Sequence, residues 1–317
     1  MKTTPTLYTK NIYTKNILVI TSSRDATVDY LENKYGDFVS FIRINTDKLD
    51  EYLIRIKTSK VSFYINGKHI ILDDIYSIYY RKPILPDRIA EYDNYYFNFL
   101  YKEFREFLFG FINTFRGKII TDPYVLMRAS NKILQLSVAK KIGFLIPETL
   151  ITNDVDFLKE KLLKSVKKWI IKPLSNGKLT HNKIVSTNLI TKDFINKDNL
   201  ESIRIAPHIF QEYINKDFDL RLIVVKDKFF PVKIISENKI DWRKGKNVYI
   251  KTDIPSDIKE KCLKYMREFN LQFCAFDFVC KNENYYFLEG NPNGQWLWIE
   301  FETDYPISRE IIKLLTS

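Results

Sequence analysis

Cysteine and histidine are scarce in this chain, several common catalytic signatures are missing, and each shortage removes a class of function. The three cysteines, Cys262, Cys274 and Cys280, are odd in number, lack a CxxC spacing and sit in or beside apolar runs. That usage excludes a disulfide framework and a cysteine zinc site, and it reads as reduced core thiols in the cytoplasm. His69, His181 and His208 are scattered singles without metal-ligand spacing. Gly177-Lys178 is followed by Leu179, so no GK[ST] phosphate loop exists, and no GxSxG elbow appears. No apolar run approaches the length of a bilayer span, and the N-terminus is polar, which predicts neither a membrane segment nor a secretion signal.

What is present is a 317-residue chain with 45% hydrophobic residues, enough for one large α/β unit or a few lobes. Fifty Lys and Arg against 39 Asp and Glu give a net charge of +11, which favours nucleotide, nucleic acid, membrane surface or acidic peptide without choosing among them. Part of that basicity is a solvated helix face, as at Lys159, Lys161, Lys164, Lys167 and Lys168, and part fits an AT-rich genome. The 20 Tyr and 23 Phe fall at core spacing and are not interleaved with Arg in loops. The non-enzyme alternative, a basic nucleic-acid-binding module, therefore fits poorly.

Along the chain, residues 1–16 read as a flexible tail containing the direct duplication of Tyr8-Thr9-Lys10-Asn11-Ile12. Residues 17–121 read as an α/β lobe: a buried strand at Ile17–Ile20, a helix to Tyr35, a strand to Ile44, a hairpin turning at Asn66-Gly67, a strand at Ile75–Tyr80, and a long aromatic helix from about Asp87 to Phe115. A central lobe, 122–205, opens with a helix from Ser130-Asn131-Lys132 to Gly143 and carries strands at 146–152 and 168–174, with helices over 154–166 and 191–202. A C-terminal lobe, 206–317, is strand-rich to Asn238, helical over 256–269, and ends in a hairpin and a short helix near 306–315.

That last hairpin carries the clearest chemistry. Phe276-Asp277-Phe278 and Leu288-Glu289-Gly290-Asn291 are separated by Asn282-Glu283-Asn284, and a three-residue loop there sets Asp277 opposite Glu289, about 5 Å apart. Glu289 and Asn291, two residues apart on a strand, share its face. Two facing carboxylates repel unless a cation lies between them, and with an amide they make a hard oxygen donor set suited to magnesium. Phe276, Phe278, Phe287 and Leu288 are expected on the other face.

Asn131-Lys132, Ile171-Lys172-Pro173, Gln211-Glu212-Tyr213-Ile214, Asp219-Leu220-Arg221, Phe276-Asp277 and Leu288-Glu289-Gly290-Asn291-Pro292 form an ordered set. This set resembles the ATP-grasp superfamily over about residues 120–317. With Tyr80-Arg81-Lys82-Pro83 and Asn291-Pro292-Asn293-Gly294-Gln295-Trp296, it looks like the ligases that mature microviridins and other graspetides. The chemistry of the set agrees. Phosphoryl transfer to a carboxylate needs cations at the phosphates, for which Lys132 and Lys172 are placed, and magnesium-bridging carboxylates. Gln211 to Ile214 offer an extended backbone for the adenine edge, as the family's hinge does. Asp219 and Arg221 share a strand face, and the fork of Arg221 would neutralise an acyl phosphate. Lys233, on the next strand, is a lesser phosphate candidate.

The resemblance implies an ATP-grasp fold of the α/β class with an N-terminal α/β lobe, using ATP and two magnesium ions and releasing ADP and phosphate. It implies activation of Glu or Asp side chains of a ribosomal precursor peptide, a leader plus an acidic core, with rings closed onto Thr or Ser as ω-esters. Leader recognition near the 170–190 hairpin and a homodimer are implied with it. An ω-amide product, or a RimK-like amino-acid ligase, are the alternatives within the superfamily. The loop Ser175-Asn176-Gly177-Lys178, with one glycine, departs from the usual glycine-rich phosphate cover.

Overall fold

In the computed structural model, residues 15–317 are described apart from 55, 57–61, 66–67, 87–88, 90–92, 176, 181–182, 186, 192–193 and 195–197. The tail to residue 14, with most of the duplication, the Asn66-Gly67 turn and Asn176 lie outside the described residues. The described chain divides into two compact units, 1–124 with 306–317, and 125–305. The C-terminal helix, Ile307–Thr316, belongs to the first unit, whereas the sequence grouped it with the C-terminal lobe.

Ile17, Leu18, Val19 and Ile20 are essentially inaccessible, as expected of a parallel strand enclosed on both faces. They form β1 (Asn16–Thr21), which leads into α1 (Ala26–Tyr35), capped where the Asp25 carboxylate accepts from the Thr27 N–H. The chain continues through β2 (Ser40–Asn45), a hairpin of β3 (Ser62–Ile65) and β4 (Lys68–Ile71), β5 (Ser77–Tyr80), α2 (Asn94–Thr114) and β6 (Lys118–Ile120). The parallel sheet has the order β2-β1-β5-β6. The C-terminal helix docks on β5, with the Ser77 hydroxyl donating to the Leu315 carbonyl at 2.8 Å. Arg81 is 1% exposed and forms an ion pair with Asp25 at 2.8 Å, so this arginine is a structural charge.

The second unit begins within α3 (Pro123–Ala129). Pro123 stands just after the end of β6 and opens this helix, where its missing N–H is not needed. Next comes α4 (Lys132–Ile142), capped by Asn131 and closed by Gly143 at φ +94°. Then come β7 (Thr149–Thr152), α5 (Val155–Lys164), β8 (Trp169–Lys172), the short strands β9 (Lys178–Thr180), β10 (Lys183–Ile184) and β11 (Asn188–Leu189), and β12 (His208–Glu212). A helix was expected over 191–202; of the described residues there, Phe194 is helical and Asp198–Ile205 is a 3-10 segment, while 192–193 and 195–197 lie outside the described residues. Strands β11, β8, β12 and β7 form one antiparallel sheet.

A larger antiparallel sheet follows from β13 (Phe218–Val225), β14 (Lys228–Ser236), β15 (Asn247–Lys251), β16 (Phe273–Lys281) and β17 (Asn284–Asn291), in the order β15-β14-β13-β16-β17. Helix α6 (Ser256–Glu268) covers one face, where Leu220, Leu222, Phe276, Phe278 and Phe287 join Tyr265 and Phe269 in the core. Helix α7 (Leu297–Thr303) follows β17. No helix among the described residues is long and apolar enough to cross a membrane.

Candidate active site

On the face of the large sheet opposite α6, Asp277 pairs with Glu289 across β16 and β17, as the sequence predicts. The cause differs. The turn holds only Asn282 and Glu283, both at positive φ (48° and 63°), the form of a tight two-residue hairpin. That turn alone would align Asp277 with Leu288. The register steps between Asp277↔Glu289 and Phe278↔Phe287, leaving Leu288 as the extra residue of a β-bulge. The bulge also resolves a conflict of parity. Phe287 and Glu289 would share a face in a regular strand, yet here Phe287 lies in the core and Glu289 faces away from it.

The Asn291 amide donates to Asp277 Oδ2 and to Glu289 Oε1, both at 3.1 Å, so it bridges the two acids. Gly290, between them, points at the core, where an added Cβ would lie 2.9 Å from the fully buried Tyr265 ring. Its backbone is held from the other side by Gln135 of α4. That side chain accepts from the Gly290 N–H at 3.1 Å and donates to the Gly290 carbonyl at 2.9 Å. No role for Gln135 is legible in the sequence, since an amide in an amphipathic helix ordinarily faces water.

Four cations surround the acids. Arg221 Nη1 donates to both Asp277 oxygens at 2.9 and 2.8 Å, and its Nη2 donates to the Gln295 carbonyl at 3.0 Å. Gly294 permits this closure, because a Cβ there would sit 2.8 Å from Nη2. Arg221 Nε is buried without a hydrogen-bond partner. Arg243, in a 3-10 turn before β15, brings Nη2 to 3.9 Å from Asp277. Its signal, Asp241-Trp242-Arg243 between two strands, went unused in the sequence reading. Lys132 opens α4 and donates to the carbonyls of Pro173 and Ser175 at 2.9 and 3.0 Å. Lys172 donates to Gln211 Oε1 at 2.8 Å, and the Gln211 amide in turn donates to the Thr149 hydroxyl at 2.8 Å.

Burial is the largest influence on both acids. At Asp277, burial and the adjacent Glu289 outweigh Arg221 and raise the carboxyl above its ordinary range. At Glu289, Lys132, the Asn291 amide and Lys172 outweigh burial and lower it. Burial, opposed by Glu289, brings the Lys172 ammonium down to about 8.

The other predicted residues are placed unevenly. Glu212 reaches Lys167 at 3.0 Å and the Tyr213 hydroxyl donates to the Lys239 carbonyl, so these two side chains point away from the acids, while their backbone N–H groups donate to the Glu148 and Lys168 carbonyls. Ile214 continues that extended segment. Asp219 lies on the Arg221 face, buried and clasped by Lys216 at 2.8 Å, a partner the sequence reading missed. Burial raises its carboxyl. Lys233 is a correction. It pairs with Leu220, whereas Arg221 pairs with Val232, and opposite residues of an antiparallel pair share a face. Lys233 is therefore on the α6 side, 4.4 Å from the Phe218 ring, and cannot join the phosphate cations.

Among the described residues no group of three His, Cys, Asp or Glu side chains could hold a metal ion, and the candidate donors are the carboxylates of Asp277 and Glu289 with the side chain of Asn291, whose amide N–H bridges them. These hard oxygens fit a magnesium ion that takes the rest of its shell from phosphates and water. The orphaned Nε of Arg221 and the ring of cations fit the phosphates themselves.

Two tests follow from this geometry. Lys172 loses its charge as pH rises through about 8, and bound phosphate would restore it. ATP affinity by calorimetry is expected to be full below that pH and to fall by about tenfold per unit above it, with proton uptake. A flat affinity across that range would remove Lys172 from the phosphates. Gln135→Ala leaves the buried Gly290 peptide unpaired, a cost of about 1–3 kcal/mol. It is expected to raise the magnesium concentration for half-maximal turnover several-fold, whereas a loss of stability with unchanged magnesium dependence would assign Gln135 to the fold alone.

Comparison with known proteins places this geometry. The RimK-like ATP-grasp domain matches residues 129–315. Macrocyclase MdnC of Microcystis aeruginosa, solved with precursor peptide MdnA, superposes with a TM-score of 0.84 at 26% identity, covering 95% of this chain and 99% of that one. A RiPP-associated ATP-grasp ligase of Chryseobacterium gregarium, solved with ADP and a leader and core peptide, gives 0.83 at 26% identity over 95% and 96%. The α-aminoadipate–LysW ligase LysX of Sulfurisphaera tokodaii is 26% identical over 158 residues, 46% of this chain. That alignment spans about half of LysX, 53% of its length. ATP-grasp enzymes use ATP and magnesium, and a structure of the ligase PsnB, 20% identical, holds both Mg and ADP. With the acids, cations and hinge all inside the matched region, the chain belongs to the RimK-like ATP-grasp family of ligases.

Proposed function

We propose that the protein is a peptide macrocyclase that activates Glu or Asp side chains of a ribosomal precursor peptide as acyl phosphates and closes rings onto Thr or Ser. The likeness to MdnC over nearly the whole of both chains supports this reading. The proposed arrangement is an N-terminal lobe with central and C-terminal ATP-grasp lobes. Asp277, Glu289 and Asn291 would hold two magnesium ions, which screen the phosphates during transfer. Lys132, Lys172 and Arg243 grip the phosphate oxygens, and adenine lies against the segment Gln211 to Ile214. Arg221 steadies the acceptor carboxylate. The peptide carboxylate takes the terminal phosphoryl group and ADP leaves; the hydroxyl then attacks the acyl carbon and phosphate leaves. Asp219, with its raised carboxyl, is placed to receive the hydroxyl proton. A homodimer working in the cytoplasm completes the proposal.

The net change is loss of one water per ring. Purified protein with ATP, magnesium and an acidic Thr-containing precursor is expected to give that mass change with ADP as co-product, and mild alkali should reopen ester rings but leave amide rings closed. The likeness to LysX favours a second reading, ligation of a separate amine to the peptide. A gain of mass would rule out ring closure, and formation of AMP would rule out the acyl phosphate.

A further inference from the structure

Strand β15 is the outermost strand of the large sheet, and among the described residues nothing pairs with its outer side. The Glu237 N–H donates to the Lys246 carbonyl and the Thr252 N–H to the Pro231 carbonyl, in register with Ile235↔Val248 and Lys233↔Ile250. Bonding in an antiparallel ladder alternates, so residues 248 and 250 turn their backbone groups inward to β14. Asn247, Tyr249 and Lys251 therefore turn their N–H and C=O groups outward.

The two faces of this edge differ. Tyr249 and Lys251 pair with Ile234 and Val232, which puts them on the face of Arg221 and Asp277. Tyr249 lies 4.9 Å from the Trp298 ring, Trp298 lies 5.5 Å from Trp242, and the Arg243 guanidinium stacks on Trp242. The other face presents Val248, Ile250 and Ile235 at 58%, 42% and 39% exposure. The segment 239–251 carries Lys239, Arg243, Lys244, Lys246 and Lys251 against Asp241 alone. Charge on an edge strand ordinarily deters pairing, but an apolar row beside open backbone groups invites a strand whose charge is opposite.

We propose that the outer edge of β15 binds an extended acidic segment of the peptide substrate by strand addition. Acidic side chains lie on the Lys251 and Arg243 face, and alternating β-branched ones lie on Val248 and Ile250. This rests on the peptide-ligase reading and gives the substrate a track ending at the acids, since Arg243 joins β15 to Asp277. Register is read by period two: an acid at every second position reaches the catalytic face.

The test uses a synthetic peptide of alternating Glu and Val, with a Lys and Val counterpart. Hydrogen exchange at the amides of Asn247, Tyr249 and Lys251 is expected to slow with the acidic peptide and not with the basic one. The variant Lys251→Glu should bind the acidic peptide about tenfold more weakly while binding ATP normally. Unchanged amides, equal effects of both peptides, or protection that appears without peptide and grows with protein concentration, as for a second copy on this edge, would overturn the proposal. The two readings also fail separately. Ring closure at the wild-type rate in the Lys251→Glu variant removes the track and leaves the ligase. Normal protection in a protein that never alters a peptide removes the ligase and leaves the track.

Discussion

Asp277→Asn is expected to lower turnover by roughly 10²- to 10³-fold, the scale of losing one pre-organised charge at a reacting phosphate, while circular dichroism shows an intact fold. Asparagine is the informative replacement. Its side chain still accepts from Arg221, whereas alanine would strip a buried guanidinium of its partner. The same measurement on Glu289→Gln should give a loss of similar size, because the two acids would share one cation site. An Asp277→Asn enzyme that keeps near-normal magnesium-dependent turnover would eliminate the metal role.

Arg221→Ala is expected to be the most damaging single change to stability in this sheet. Arg221 and Asp277 are 7% and 10% exposed at their side chains, and removing one partner of a buried pair costs about 3–5 kcal/mol because the other charge is stranded. Denaturant unfolding should show the loss, and adding Asp277→Asn to Arg221→Ala should recover part of it. Additive losses would mean that the pair is not coupled, against the geometry. Arg221→Lys should keep more stability yet still slow the reaction, since an ammonium cannot reproduce the forked contact. The sequence alone suggests that removing Asp277 relieves repulsion with Glu289; the structure adds Arg221, which reverses the expected sign.

The order of strands and helices was legible wherever a periodic pattern met a strong terminus, as at Asn131 and Gly143 of α4. The facing of Asp277 and Glu289 was also legible, although a longer loop was credited for what a bulge accomplishes. Lys233 misled because a basic residue on a neighbouring strand says nothing about its face until register is known. Gln135 and Lys216 were illegible for a related reason. Their roles come from partners 155 residues away in one case and across a turn in the other, and no local pattern encodes either. Arg243 sits in a short 3-10 turn, which has no periodicity to draw attention to it.

Leu288 is a silent letter in β17, passed over when the strand is read against β16. Many substitutions at that position would leave the alternation of its neighbours intact, and even deleting it would only close the bulge, with Phe287 still opposite Phe278 and Glu289, now the next residue, still opposite Asp277. Straightening the strand with Leu288 retained is what misreads the frame: Leu288 would take the place beside Asp277, and Glu289 would be driven among Phe276, Phe278 and Tyr265. Relatives and engineered variants of this hairpin should therefore tolerate both lengthening at the Asn282-Glu283 tip and the loss of Leu288, since each leaves Glu289 opposite Asp277.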